Sequence, residues 1–412
     1  MPAARPLRVE SHRDRPAAVE ATLQDVLVVG GGIGGAVLAG LLGRGGKRVL
    51  VLERSTGPPG IGRPEILWPA TVRVIESLVG SVRLRAEAAL SLEGLEIRSR
   101  GKPLVSVTRE TFRDAGVQPW STDPDRTREL LLAAGGFELR RGVEVEGVLE
   151  DGGRIAGVRA REAASGRVAD LDAAIVVGDD GARSRVREAC GIALDARSFP
   201  IDFLCFGFEW PGSLPQTVGH VWLDLFDSRG GVLGLVAFPL PGERGAGVVL
   251  VRPRALEGAP ESEEPWGRFL STDPALREVV GRRRFPGDFV RVRRSFGHAL
   301  RYGGRGALLL GDAIHPVSPA GGQGANMSVA DAVALAEALL ADAGDPLGAY
   351  EGRRREANER SLAVTRRAAR ALAIPDGLFP AWGVRLLLRH GRRRSAPVLR
   401  FLSTAFADAP PA

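Results

Sequence analysis

Three short glycine- and aspartate-rich motifs carry the residues best suited to chemistry: Gly30-Gly31-Gly32-Ile33-Gly34-Gly35, Gly178-Asp179-Asp180-Gly181 and Gly311-Asp312-Ala313-Ile314-His315-Pro316. Glycines at the first spacing let a chain turn tightly and let backbone amides approach a pyrophosphate with no Cβ in the way. Acids placed after such turns bond sugar hydroxyls. Together the motifs describe one dinucleotide held along its length by segments far apart in sequence.

The elements that must position these residues are legible around them. Asp25 to Val29 is a β-branched apolar run that passes straight into the glycines, and Ala36 to Leu42 follows at helical spacing. Gly30 permits the turn, Gly32 and Gly34 open the phosphate side, and Gly35 lets the helix pack on the strand; the helix N-terminus faces the phosphates. A second strand, Arg48 to Leu52, ends in Glu53, followed by Arg54. An acid there accepts from the ribose hydroxyls and would repel a 2′-phosphate, which leaves FAD or NAD. Ala307 to Leu310 reads as another buried strand, Asp312 ends it, and Gly322, Gly324, Ala325 and Asn326 open a further helix. A second ligand-facing helix start suits a flavin, whose reduced ring its amides would stabilise, and so favours non-covalent FAD.

These residues resemble the class A flavin-dependent monooxygenases, the p-hydroxybenzoate hydroxylase-like family, over residues 25 to about 370. The strongest match is Gly311 to Asn326 followed by Asp331-Ala332. Asp180-Gly181 matches the family's Asp-Gly segment, while Asp179 stands where a small residue is usual. The resemblance implies Arg63 and Arg126 near the flavin or pyrophosphate, and Pro319 against the flavin edge. It implies an α/β (α+β) fold: a Rossmann-like FAD-binding domain interleaved with an antiparallel β-sheet substrate domain, then C-terminal helices. The expected division is a flexible extension over 1–21, an FAD domain from 22–70, 125–190 and 290–345, a substrate domain from 71–124 and 191–289, and a helical region over 346–412 with breaks near Pro375 and Ser395. It also implies the reaction: NADH or NADPH visits and reduces FAD, O2 adds at the flavin C4a, and the hydroperoxide hydroxylates or epoxidises an aromatic, polycyclic or quinone-like substrate. A reductase of prenyl or polyene double bonds, or a flavoprotein that binds a hydrophobic ligand without turnover, stays open as an alternative.

Between Phe199 and Arg252 alternating strands replace helices and suggest a chamber wall. His220, Trp222 and Asp224 share one strand face, so His220 is the natural acid or base there and His298 its rival, while Phe203, Phe206, Phe208, Trp222, Leu223 and Phe238 are candidate lining. Composition narrows the remaining classes. With 44% apolar and 25% charged residues and no long apolar run, no membrane span is expected. The net charge of +7 comes mainly from arginines on amphipathic C-terminal segments without interleaved aromatics, which speaks against nucleic acid and leaves peripheral membrane contact open. Cys190 and Cys205 suit reduced thiols in a cytoplasmic protein, monomer or homodimer, and no metal is called for.

Overall fold

The computed structural model describes residues 8–11, 23–198, 201–224, 231–253, 263–292, 295–317, 322–342 and 344–373. At its centre Gln24–Val29 runs parallel to Val49–Glu53 on one side and to the end of Val168–Gly178 on the other. Glu138–Arg141 and Ala307–Leu309 extend this sheet outward, also in parallel. Such strands are covered on both faces, which is why Val49–Glu53 is buried at every position rather than alternating. The helices Ile33–Arg44 and Gly324–Leu340 pack against each other, and a Cβ on Gly34 would lie only 3.2 Å from Leu310 and Ser328. Val143–Asp151 and Arg154–Glu162 form a hairpin on the first half of Val168–Gly178. Within the stretch expected as an extension, Arg8–Ser11 pairs in parallel with residues 147–150.

The second sheet has seven strands in the order Val290–Val292, Asp202–Glu209, Arg244–Val251, Val232–Leu240, Val218–Leu223, Gly94–Ser99 and Lys102–Val107. Its pairs are antiparallel except that Val218–Leu223 runs parallel to Gly94–Ser99, a strand from before the nucleotide fold is complete. The period-two alternation gives the sheet two different faces. One buries Leu204, Phe206, Trp222, Leu235 and Val249 against the helices Glu263–Leu270 and Pro274–Val280. The other carries Phe203, Val236, Val248 and Leu250 with Val292 and Phe296. A small sheet of Glu65–Leu67, Trp120–Thr122 and Ala89–Ser91 touches Val232–Leu240. Pro346–Ala373 is one long helix; the breaks expected near Pro375 and Ser395 lie outside the described residues. No described helix is long and apolar enough to cross a membrane.

Candidate functional site

The chain leaves Val29 and turns at Gly30 with φ of 103°, a left-handed conformation that favours glycine. A Cβ there would lie 2.3 Å from the Asp179 carbonyl oxygen, so the turn and the Asp-Gly segment touch backbone to backbone. Gly32 caps the helix with no side chain of its own, and among the first amides that of Gly35 is taken by Asp179 at 2.8 Å. Glu53 is built into the same corner: its Oε2 accepts from the Gly31 amide at 2.8 Å and its Oε1 from the Ser55 amide at 2.8 Å. Arg128 closes the corner, with Nη2 3.1 Å from Glu53 Oε2 and Nε donating to the Gly31 carbonyl at 2.6 Å. Burial pushes the Glu53 carboxyl up, but the Ser55 amide, Arg128 and the Gly31 amide outweigh it and hold it below the usual carboxylate range. A cleft of about 470 Å³ opens over this corner, lined among others by Glu53, Arg54, Arg63, Arg128, Asp180 and Arg183. The donors fit the ADP half of FAD: free helix amides and arginines for phosphates, an ionised acid for ribose.

The second motif is held by its own helix start. Asp180 Oδ2 accepts from the amides of Arg185 at 2.7 Å and Val186 at 3.3 Å, and Ser184 caps the amide of Arg187 at 2.9 Å. Asp180 Oδ1 is buried without a hydrogen-bond partner, an acceptor left over at the edge of the cleft. The buried Arg187 donates to the carbonyls of Ala313 at 2.9 Å and Ala182 at 3.0 Å, tying the second motif to the third. Sequence reading missed this tie, because its partners are carbonyls.

In the third motif the strand Ala307–Leu309 passes into a turn of 3-10 helix, Gly311–Ala313, with Gly311 at φ of 57°. Gly324, Ala325 and Asn326 form the first turn of Gly324–Leu340, as expected from the glycines before it. The Asn326 side chain is fully employed: it accepts from the Trp68 amide at 3.0 Å and donates to the carbonyls of Ile66 at 2.8 Å and Gly322 at 3.0 Å. Its backbone amide is the group left for a ligand to meet. Pro319 lies outside the described residues.

Behind this motif sits a buried polar cluster. His315 pairs with Asp331; Arg354 donates to Asp331 at 2.9 Å; Asn358 donates to Asp331 at 3.0 Å and to the Tyr302 hydroxyl at 3.1 Å. His298 Nε2 meets the same hydroxyl at 2.8 Å.

The FAD binding domain family matches residues 24–365 of the chain, spanning all three motifs. The chain belongs to the class A FAD-dependent monooxygenases. The monooxygenase is 31% identical over 366 residues to 6-methylpretetramide 4-monooxygenase of Streptomyces rimosus, covering 82% of this chain and 78% of the relative. Among solved structures it resembles PqsL, a probable FAD-dependent monooxygenase from Pseudomonas aeruginosa, with a TM-score of 0.73, 27% identity and coverage of 90% of this chain and 100% of that one. It also resembles OxyS anhydrotetracycline hydroxylase from Streptomyces rimosus, with a TM-score of 0.69, 27% identity and coverage of 95% and 77%.

Within this monooxygenase the residues anticipated from sequence divide. Gly30, Gly32, Glu53, Arg54, Arg63 and Asp180 line the cleft together. Gly34 and Gly35 sit in the helix behind it, and Gly35 donates its amide to Asp179. Arg126 does not join them. It stands on the outer side of the helix Pro124–Leu132 and donates to Glu87 at 2.9 Å, while Arg128, two residues and more than half a turn away, faces the cleft. Arg128→Ala is expected to weaken FAD binding about ten- to a hundredfold, roughly 1.4 to 2.8 kcal/mol, and Arg126→Ala by less than about twofold. Titrating FAD into deflavinated protein checks both.

The histidines also separate. His220 is buried with neither ring nitrogen hydrogen-bonded, Nδ1 lying 3.8 Å from Glu96 Oε2 and the ring 6.0 Å from Trp210 and 5.4 Å from Trp222. It pairs across the ladder with Ala237, so it points to the helix-packed face. Phe206 and Trp222 lie on that face too, whereas Phe203 is on the other. Burial lowers the pKa of His220, and burial with nearby His315 lowers that of His298 to about 4. Both stay neutral at physiological pH, and neither lines the cleft.

Proposed function

We propose that this monooxygenase uses NADH or NADPH and O2 to insert one oxygen atom into a polycyclic aromatic molecule held between the seven-stranded sheet and the cofactor. The observation that carries the reading is an apolar rung. Ile97, Val221, Val236, Val248, Cys205 and Val290 stand opposite one another across six strands. Val221, Val236 and Val248 are only half-buried, and no charged side chain interrupts the row. A continuous apolar row of this kind, exposed in part, suits fused rings.

The loop bearing Arg63 reaches this sheet. A Cβ on Gly62 would lie 2.4 Å from the Gly207 amide, and Gly207 shares the face of Cys205 by the two-residue period. The loop that helps line the nucleotide cleft thus also borders the rung, which supports a shared chamber. Bound FAD supplies electron transfer from the nicotinamide and activation of O2. The chain's part is to fix the nucleotide through the Gly30 turn, Glu53 and Arg128, to present the Gly324–Asn326 amides to the ring, and to keep water off the apolar rung. The names of the Streptomyces rimosus relatives, for 6-methylpretetramide and anhydrotetracycline, support the polycyclic class. The thiols of Cys190 and Cys205, neither in a disulfide, support a cytoplasmic setting.

NAD(P)H consumption by the purified flavoprotein, measured with a panel of polycyclic phenols in air and under anaerobic conditions, tests the assignment. The expected result is ligand-stimulated oxidation with a product one oxygen atom heavier, formed only in air. A reduced product formed without oxygen, or stimulated oxidation yielding hydrogen peroxide alone across the panel, would defeat it.

A further inference from the structure

The side chain of Asp179 lies inside the dinucleotide turn rather than beside it. Its Oδ2 accepts from the Gly35 amide at 2.8 Å, and a Cβ on Gly32 would lie 2.6 Å from that oxygen. A Cβ on Gly311 would lie 3.1 Å from its Oδ1. One carboxyl therefore touches the first motif, the start of its helix and the third motif. It does so at the helix end where amides and dipole attract a pyrophosphate.

The charged groups acting on it most strongly are all carboxyls: Asp312 on the 3-10 turn, Asp180 next in the chain and Glu53 at the end of its strand. Three of the nearby arginines are committed elsewhere, and a fourth lines the cleft. Arg128 serves Glu53 and Gly31, Arg187 serves the Ala313 and Ala182 carbonyls, Arg185 pairs with Glu144, and Arg183 lines the opening. Burial first, then these acids, push the Asp179 carboxyl well above its usual range against the pull of the Gly35 amide. A pyrophosphate arriving at the same helix end adds negative charge to a place already crowded with it.

We propose that Asp179 takes up one proton from solvent when FAD binds, which makes cofactor affinity in this monooxygenase depend on pH. The proton joins a carboxylate oxygen and no other bond changes. The resulting neutral acid no longer repels the pyrophosphate. Because the bound nucleotide disfavours the ionised form, affinity is highest at low pH. It falls as pH rises above the Asp179 pKa of the FAD-free protein, by up to about tenfold per pH unit for one proton, and levels off above the pKa of the complex. The proposal rests on FAD occupying the Gly30 turn.

The test titrates deflavinated protein with FAD by flavin fluorescence from the ordinary carboxylate range, about pH 4, upward to roughly pH 9. Calorimetry in two buffers of different ionisation heat counts protons taken up. The wild type is expected to bind about one proton and lose affinity with rising pH. Asp179→Asn and Asp179→Ala are expected to bind FAD with no proton uptake, a flat profile and tighter binding than wild type at the alkaline end. Asp180, whose carboxyl burial also raises, keeps its titration in both variants. A slope that persists in the variants therefore overturns the assignment to Asp179, as does a flat profile in tightly binding wild type. Failure of the wild type to bind FAD at any pH overturns the cofactor placement beneath the proposal, and is told apart by the absence of any saturable signal.

Discussion

Gly30→Ala is expected to yield protein that purifies without yellow colour. The new Cβ would meet the Asp179 carbonyl oxygen at 2.3 Å and its carbon at 2.7 Å. Both atoms are backbone, held by the Asp179 amide donating to the Val29 carbonyl at 2.8 Å, so neither can rotate away. The φ of 103° adds strain for any side chain. Relief requires the first and second motifs to part, and with them the walls of the cleft. The expected loss is more than about a hundredfold in FAD affinity together with about 2 to 4 kcal/mol of stability. Gly46→Ala is the matched control: its φ of 84° carries similar strain, but a Cβ there meets nothing within 4 Å. The control should lose about 1 kcal/mol and keep its flavin. The ratio of visible flavin absorbance to protein absorbance after purification, with urea unfolding, reads both effects. A yellow Gly30→Ala protein would show that the contact is not maintained in solution.

The second large effect belongs to Asp331. It is fully buried and receives His315, Arg354 and Asn358, while Arg354 itself is only 5% exposed. Asp331→Ala takes away the carboxylate that the buried Arg354 meets at 2.9 Å, which is expected to cost about 3 to 5 kcal/mol in unfolding free energy. Removing the exposed pair Arg360–Glu356 by Arg360→Ala should cost less than about 1 kcal/mol. Although burial alone would push the Asp331 carboxyl up, His315, Arg354 and Asn358 bring it down to about 2. A carboxyl lowered on folding contributes stability above its unfolded value near 3.8, and that contribution disappears as pH falls toward about 2. Acid unfolding curves of the wild type should contain this loss, and those of Asp331→Asn should lack it. Equal curves would mean that Asp331 is not the group responsible.

Much of the architecture could be read from the chain because it rests on local patterns. Val26 to Val29 and Val49 to Leu52 are continuous apolar runs ended by Gly30 and Glu53, and a parallel strand covered on both faces needs just that. Glu53 was identifiable because its distance from Gly30 is fixed by one helix and one strand. Arg126 and Arg128 lie on one helix, and only its rotation about its axis, set by Leu130 and Leu131 packing inward, decides which of them faces the cleft. His220 was placed on a face correctly shared with Trp222, but period two does not say which face meets the cofactor; the docking of Glu263–Leu270 and Pro274–Val280 decides that. Two of the partners of Asp331, Arg354 and Asn358, lie one turn apart on a separate helix, and no spacing rule links them to it. Asp179 stood out only as an unusual residue, and its meaning depends on Gly35 and Gly311, which reach it from both sides.

The strand order has a consequence for how the protein is made. Ala307–Leu309 lies directly beside Val168–Gly178, which lies beside Gln24–Val29, so the nucleotide sheet is assembled from pieces of the beginning, middle and late parts of the chain. The substrate sheet likewise waits for Val218–Leu223 before Gly94–Ser99 has its parallel partner. During synthesis the ribosome therefore releases the glycine turn long before the residues that complete its pocket. A nascent chain halted just ahead of Leu309 would carry the Gly30 turn, Glu53 and the Asp180-Gly181 segment and yet lack the third motif. The nucleotide sheet is complete only once Ala307–Leu309 has joined Val168–Gly178, so its early strands wait for residues far along the chain.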